Sequence, residues 1–149
     1  MGYTKNSIVI AAPIDKVFDL TNDIERWPEL FTEYQAAKVV SREGNKIVFE
    51  LTTHPEGEQP SRTWRSSRVI DRENWCVTAE REDPKFPFEY MHITWLYESV
   101  PGGTQMTWIQ NFKMHPMTGW TEEQGEQSIN ANTPVQMAAI KQKIEGGFE

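Results

Sequence analysis

The sequence predicts an α+β fold: a curved, antiparallel, seven-stranded sheet wrapped around a long C-terminal helix, with two short helices at one end and a cavity inside. Three observations carry this expectation. The apolar period changes from helical to alternating after Tyr34 and returns to helical near Ile129. Short turn signals cut the alternating stretch, and strands joined that way form an antiparallel meander. A curved sheet needs its concave face covered, and only the last helix is long enough to cover it.

The elements follow in order. Ser7–Ala12 is a short β-branched run and reads as a strand. Pro13 ends it and suits the first position of a helix carrying Ile14, Val17, Phe18 and Leu20. A second short helix holds Ile24, Trp27, Leu30 and Phe31, with Asp23 as its N-cap. Val39–Val40 and Ile47–Leu51 flank Glu43-Gly44-Asn45 and read as a hairpin. His54–Pro60 is a loop, and four strands follow at Thr63–Asp71, Trp75–Glu82, Tyr90–Val100 and Thr104–Met114. The last helix carries Ile129, Thr133, Met137, Ile140 and Ile144 and stops at Gly146-Gly147. Pro134 interrupts it: either one helix kinks there, or two meet near Asn132 with Thr133–Gln136 as a capping box.

A chain of 149 residues reads as a single domain over 1–149, long enough to build a core without disulfide staples. Its one cysteine excludes an internal disulfide, and its three scattered histidines offer no metal-ligand spacing. A net charge of −7 disfavours nucleic acid and anionic membrane surfaces. No apolar stretch approaches the roughly 20 residues of a membrane span, and no signal core opens the sequence, so a cytoplasmic location is expected.

Six tryptophans are many for so polar a chain. Strand alternation assigns them to faces: Trp64/Ser66/Arg68, Met91/Ile93/Trp95 and Trp108/Gln110/Phe112 point inward. Serine, arginine and glutamine interleaved with indoles do not make an ordinary core. A buried guanidinium without a partner is costly. Either Arg68 pairs with a buried carboxylate, or its strand has the opposite register, or it faces a hydrated pocket whose ligand carries oxygens. Arg81 reads as a solvated strand-end charge or, less directly, as a second inward cation.

Longer stretches carry a resemblance: Thr21-Asn22-Asp23-Ile24-Glu25-Arg26-Trp27-Pro28-Glu29-Leu30-Phe31 continuing to Glu33-Tyr34, then Trp64/Ser66/Arg68, Phe88-x-Tyr90-Met91, Trp95-x-Tyr97, Val100-Pro101-Gly102-Gly103-Thr104, Trp108-x-Gln110 and Asn130-x-Asn132-Thr133. From about Asn6 to Ile144 the chain resembles the aromatase/cyclases of bacterial type II polyketide synthases, members of the START-like helix-grip (SRPBCC) superfamily. The resemblance implies a cavity enzyme that directs regiospecific first-ring aldol cyclisation and dehydration of a poly-β-ketone. Its partners would be the acyl carrier protein that bears the chain on phosphopantetheine, and the other synthase subunits. It implies Arg68 and Tyr34 as the catalytic pair. Trp27, Phe31, Trp64, Ser66, Arg81, Met91, Trp95, Trp108, Gln110 and Asn132 would bind substrate, with no cofactor or metal of the protein's own. A basic rim for the acidic carrier is expected from Arg62, Arg65, Arg72 and Lys85. The alternative is a non-catalytic helix-grip carrier of a hydrophobic ligand. Pro134, the Asp83–Phe88 loop and Gln110 depart from the family pattern. Chain length, ring-closure carbons and the general base stay open.

Overall fold

The turns decide how the strands meet. The computed structural model describes residues 1–149, and its strands form one antiparallel sheet in the order β1-β7-β6-β5-β4-β3-β2. The strands are β1 (Gly2–Ile10), β2 (Tyr34–Glu43), β3 (Lys46–Thr53), β4 (Thr63–Asp71), β5 (Cys76–Arg81), β6 (Phe88–Val100) and β7 (Gly103–Met114). Helices α1 (Ile14–Thr21) and α2 (Trp27–Leu30) follow β1, and α3 (Glu122–Glu145) lies across the concave face. This is the expected helix-grip arrangement, and the expected inward parity holds. Ser66, Arg68, Met91, Trp95, Trp108 and Phe112 are all buried.

Several boundaries differ from the sequence reading. β1 starts at Gly2 rather than Ser7, because it pairs with β7 from Gly2↔Phe112 to Ile10↔Thr104. Its inward positions there are Gly2 and Thr4, which give no apolar alternation to mark the strand. Gly2 is needed at that point, since a Cβ would sit 2.3 Å from the Phe112 ring. Pro13 is the N-cap of α1 rather than its first helical residue. The second helix is a 3₁₀ turn at Ile24–Arg26 running into the short α2, and Asp23 makes no side-chain cap.

α3 is one continuous helix with Pro134 inside it. Its capping box lies at Thr121–Gln124, not at Thr133–Gln136. The reason is that Gln136 is committed elsewhere: its amide bonds the backbone N–H and hydroxyl of Thr32 at 2.9 and 2.8 Å. Pro134 and Asn130 both lie on the exposed side, where water can serve the Asn130 carbonyl that proline leaves without an N–H donor. No helix is long and apolar enough to cross a membrane.

The core is divided. Val17, Phe18, Ile24 and Leu30 pack with Met137, Ile140 and Ile144 at one end. Met91, Phe112 and Met114 form a small cluster towards the other. Gly125 lets α3 close on β7, since a Cβ there would lie 2.7 Å from the Phe112 ring. Gly103 closes the β6–β7 hairpin against β1 at φ +141°, and a Cβ would fall 2.0 Å from the Ile10 carbonyl oxygen. Gly103→Ala should therefore destabilise the protein by at least about 2 kcal/mol, read as a lower urea midpoint at unchanged slope.

Candidate functional site

Between the sheet and α3 lies a cavity of about 900 Å³. It opens where the β3–β4 loop (Glu56, Gln59, Arg62), the β5–β6 loop (Phe86, Pro87) and the segment before α3 (Met117, Thr118, Trp120) come together. Every residue expected at the site lines this one space: Trp27, Phe31, Tyr34, Trp64, Ser66, Arg68, Arg81, Met91, Trp95, Trp108, Gln110 and Asn132.

β4 builds its polar wall. The pleat turns Trp64, Ser66 and Arg68 to one side, from the mouth inward, with Arg62 of the β3–β4 loop just ahead of them. Arg68 stands opposite Ile47 on β3 and the small Ala79 on β5. It is 3 % exposed, so the opposite register is excluded. No carboxylate pairs with it. One guanidinium nitrogen donates to Asn22 Oδ1 at 2.9 Å, and Nε has no protein partner. The cation lies 4.1 Å over the Trp95 ring and 5.1 Å from that of Trp27. Burial lowers its pKa from 12.5 to about 10, an effect the Tyr97 and Tyr34 hydroxyls oppose. It remains a cation at neutral pH.

The floor is held by the end of α1. The Thr21 and Tyr97 hydroxyls share a 2.6 Å hydrogen bond, and Asn22 Nδ2 donates to the Phe18 carbonyl at 2.8 Å. Asn22 is thereby oriented with its oxygen towards Arg68. Trp27 Nε1 donates to the Thr21 carbonyl at 3.1 Å, fixing that indole. Trp95 and Trp108 stack at 4.3 Å with an 8° tilt, and Phe31 lies 5.9 Å beyond Trp108. Trp108 Nε1 is buried and, like Arg68 Nε, has no protein partner. The wall thus contains two buried donors that no protein acceptor satisfies.

Arg81 is an inward residue, not a solvated strand-end charge. Its register partner is Ser66, and its guanidinium stacks over Trp64 at 4.3 Å and near Phe88 at 5.1 Å. Burial also lowers its pKa to about 10. Tyr34 is buried, with its ring 5.9 Å from Trp27 and 6.1 Å from Trp64. Burial and the neighbouring Glu33 raise its pKa well above 10.0, so the phenol keeps its proton. Gln110 accepts from Thr4 at 3.3 Å. Asn132 sits at the cavity but its amide is taken, donating to Glu33 at 3.1 Å and accepting from Gln136 at 3.2 Å.

The expected basic rim is smaller than the sequence suggested. Arg72 is at the opposite end, in a two-point pair with Asp19 at 3.0 and 3.1 Å. Arg65 is on the outer face, paired with Glu50 at 3.0 Å. Arg62 lines the mouth, whereas Lys85 lies in the β5–β6 loop among Glu80, Glu82 and Asp83, outside the cavity lining. Sequence reasoning missed the exposed rim of Phe86, Met117 and Trp120. It also missed Glu33, whose only signal was its place between Phe31 and Tyr34.

The family described as "Polyketide cyclase / dehydrase and lipid transport" matches residues 10–134, and the chain belongs to it. A Streptomyces cyaneus protein that carries the name polyketide cyclase is 49% identical over 144 residues, covering 97% of this chain and 94% of the relative. The granaticin polyketide synthase bifunctional cyclase/dehydratase of Streptomyces violaceoruber is 25% identical over 145 residues, 97% of this chain and 44% of that protein. Among solved structures, the Zhui aromatase/cyclase from Streptomyces sp. R1128 superposes with a TM-score of 0.77 at 17% identity, covering 97% of this chain and 91% of that one. The last likeness is one of fold.

A fall of the Arg68 pKa from 12.5 to about 10 corresponds to roughly 3 kcal/mol against the charged form. The folded value is the depressed one, so this cost applies at every pH below about 10. Arg68→Met fills the same space without a charge. Its thermal midpoint should equal or exceed that of the parent at pH 7; a loss above about 2 kcal/mol would mean that the guanidinium supports the fold.

Proposed function

We propose that this member of the polyketide cyclase family directs the first-ring aldol closure of an acyl-carrier-protein-bound poly-β-ketone and its dehydration to an aromatic ring. The observation that carries the reading is Arg68: a buried cation with no counter-ion, on the wall of a large aromatic cavity. Such a residue is costly to the fold and becomes useful when a ligand brings negative charge to it.

The chemistry suits the residues. A methylene between two ketones is already acidic, and the harder task is choosing which carbon meets which carbonyl. Stacked rings of Trp27, Trp95, Trp108 and Phe31 select one folded conformer of the chain, which is catalysis by orientation. As the carbon–carbon bond forms, charge grows on a ketone oxygen, and Arg68 stabilises it in a site of low dielectric. Arg68 stays protonated and acts as a fixed charge rather than a proton donor. Tyr34, a phenol at neutral pH, supplies the proton. Ser66 and Arg81 offer further donors to ketone oxygens along the same wall.

Aldol closure and loss of water involve no net oxidation, so we assign the protein no cofactor; the phosphopantetheine belongs to the carrier. Relatives named as cyclases of polyketide synthases support synthase subunits as partners. We place the work in the cytoplasm, alongside such a synthase. Of the four expected rim cations, Arg62 is the one that lines the mouth to meet an acidic carrier.

The test is reconstitution with a minimal polyketide synthase and analysis of products. The parent should convert a mixture of spontaneously cyclised shunt products into one main ring system. Arg68→Met should lower that directed flux by about 10²-fold or more while the protein stays folded. Saturable binding with no change in products would favour a hydrophobic-ligand carrier instead.

A further inference from the structure

We propose that Glu33 is the base of this cavity, taking a proton from a methylene flanked by two ketones and thereby starting ring closure. The inference rests on the polyketide reading above and names a residue for the one role it leaves empty.

Glu33 lies where the chain leaves α2 and turns into β2, and it lines the cavity beside Tyr34. The only other acid among the lining residues is Glu56, which is exposed in the β3–β4 loop, and no histidine lines the space. One carboxylate oxygen, Oε2, accepts from Asn132 Nδ2 at 3.1 Å. Asn132 is held by Gln136, and Gln136 is anchored at both ends of its amide to Thr32. Gln136 is 3 % exposed, so this chain is built into the helix–sheet interface. It aims the carboxylate without neutralising it. The Tyr34 hydroxyl meets the same carboxyl, so the acid and the phenol are in direct contact.

The charges around it suit a base. Tyr34 adjoins it on β2, Arg62 faces it from the β3–β4 loop, Arg81 senses it from β5, and Glu56 opposes Arg62. α3 contributes only the neutral Asn132 and Gln136. Burial outweighs the Asn132 and Tyr34 bonds and Arg62, so the carboxyl sits above its ordinary 4.5 and is a stronger base than a free glutamate. Arg68, by contrast, is kept for the developing alkoxide.

The proton and electron balance closes. The methylene C–H breaks, its proton goes to Glu33, and its electron pair forms an enolate. The enolate carbon attacks a second ketone carbon; the carbonyl π pair becomes an alkoxide, which takes a proton from Tyr34. Glu33 returns the methylene proton to the Tyr34 oxygen. In the dehydration, Glu33 takes a second α-proton, hydroxide leaves with the Tyr34 proton as water, and Glu33 again restores the phenol. One water is released and neither residue is consumed.

The experiment is the minimal-synthase reconstitution repeated across pH with Glu33→Gln, Glu33→Asp and Asn132→Leu. Binding is followed separately by quenching of tryptophan fluorescence with a finished aromatic polyketide. Glu33→Gln keeps an acceptor for Asn132 and should bind the aromatic product within about twofold of the parent, yet lose directed cyclisation by about 10²- to 10⁴-fold. Added formate should restore part of that activity. The parent should lose activity as pH falls through the raised Glu33 value. This acid limb should be absent in Glu33→Gln, present at lower rate in Glu33→Asp, and moved to higher pH in Asn132→Leu, which removes the bond that favours the ionised form. If the parent directs cyclisation and Glu33→Gln does so equally, with the same acid limb, the proposal is overturned while the cyclase reading stands. If the parent leaves the products unchanged, both fall.

Discussion

The structure depends on keeping a guanidinium out of water without giving it a carboxylate. Arg68 is buried on the concave face, held by one amide oxygen and the faces of two indoles. A well-packed core would replace it with an apolar side chain of similar volume and gain stability. Here the surroundings are arranged to make the charge tolerable. Ala79 leaves space across the strand, Asn22 offers its oxygen, and Trp95 and Trp27 offer the negative faces of their rings. The cavity follows from this, because filling it with apolar side chains would remove what remains of the cation's polar surroundings.

The rest of the wall is ordered by which polar atoms the fold has used. The indole N–H of Trp27 is tied to the Thr21 carbonyl, so this ring serves as a fixed surface. That of Trp108 has no protein partner, although the ring itself is clamped by Trp95. The two stacked tryptophans differ in another respect: Trp95 carries the cation on its face at 4.1 Å. Tyr97 and Tyr34 divide in the same way. Tyr97 is bound into the α1 terminus through Thr21 and Asn22, and burial pushes it up to about 12. Tyr34 lies higher in the cavity beside Glu33, where a hydroxyl can exchange a proton with a neighbouring carboxyl.

Much of this was legible in the sequence because a strand's period of two is rigid. Once Thr63–Asp71 was read as a strand, Trp64, Ser66 and Arg68 had to share a face, and the mixture on that face excluded a simple core. Gly44 marked its hairpin for the same kind of local reason, with φ at +61°. What escaped was tertiary. The start of β1 depends on Gly2 meeting Phe112, which no local pattern encodes. The continuity of α3 through Pro134 depends on Gln136 reaching Thr32 on another element. Arg65 and Arg72 read as free cations because their partners, Glu50 and Asp19, lie far away in sequence. Glu33 was invisible as a site residue because its environment is made by Asn132, about a hundred positions away.

Two cations in one cavity carry a last implication about what fits there. Arg68 and Arg81 lie on neighbouring strands, with Ser66 opposite Arg81 and two residues from Arg68 on the same face. The separation along the strand is about 7 Å, set by the rise of roughly 3.4 Å per residue. Neither guanidinium has a carboxylate, and each rests on aromatic faces. A ligand with one polar end would leave one of them unserved. A chain with oxygens repeated along its length serves both at once, while its carbon skeleton lies against the indoles between them. Apolar lipids satisfy the indoles but not the cations, and compact anions satisfy a cation but not the length of the wall. On the proposed reading, an extended polyketone would meet both requirements, and the spacing of the two arginines would limit how it folds back on itself.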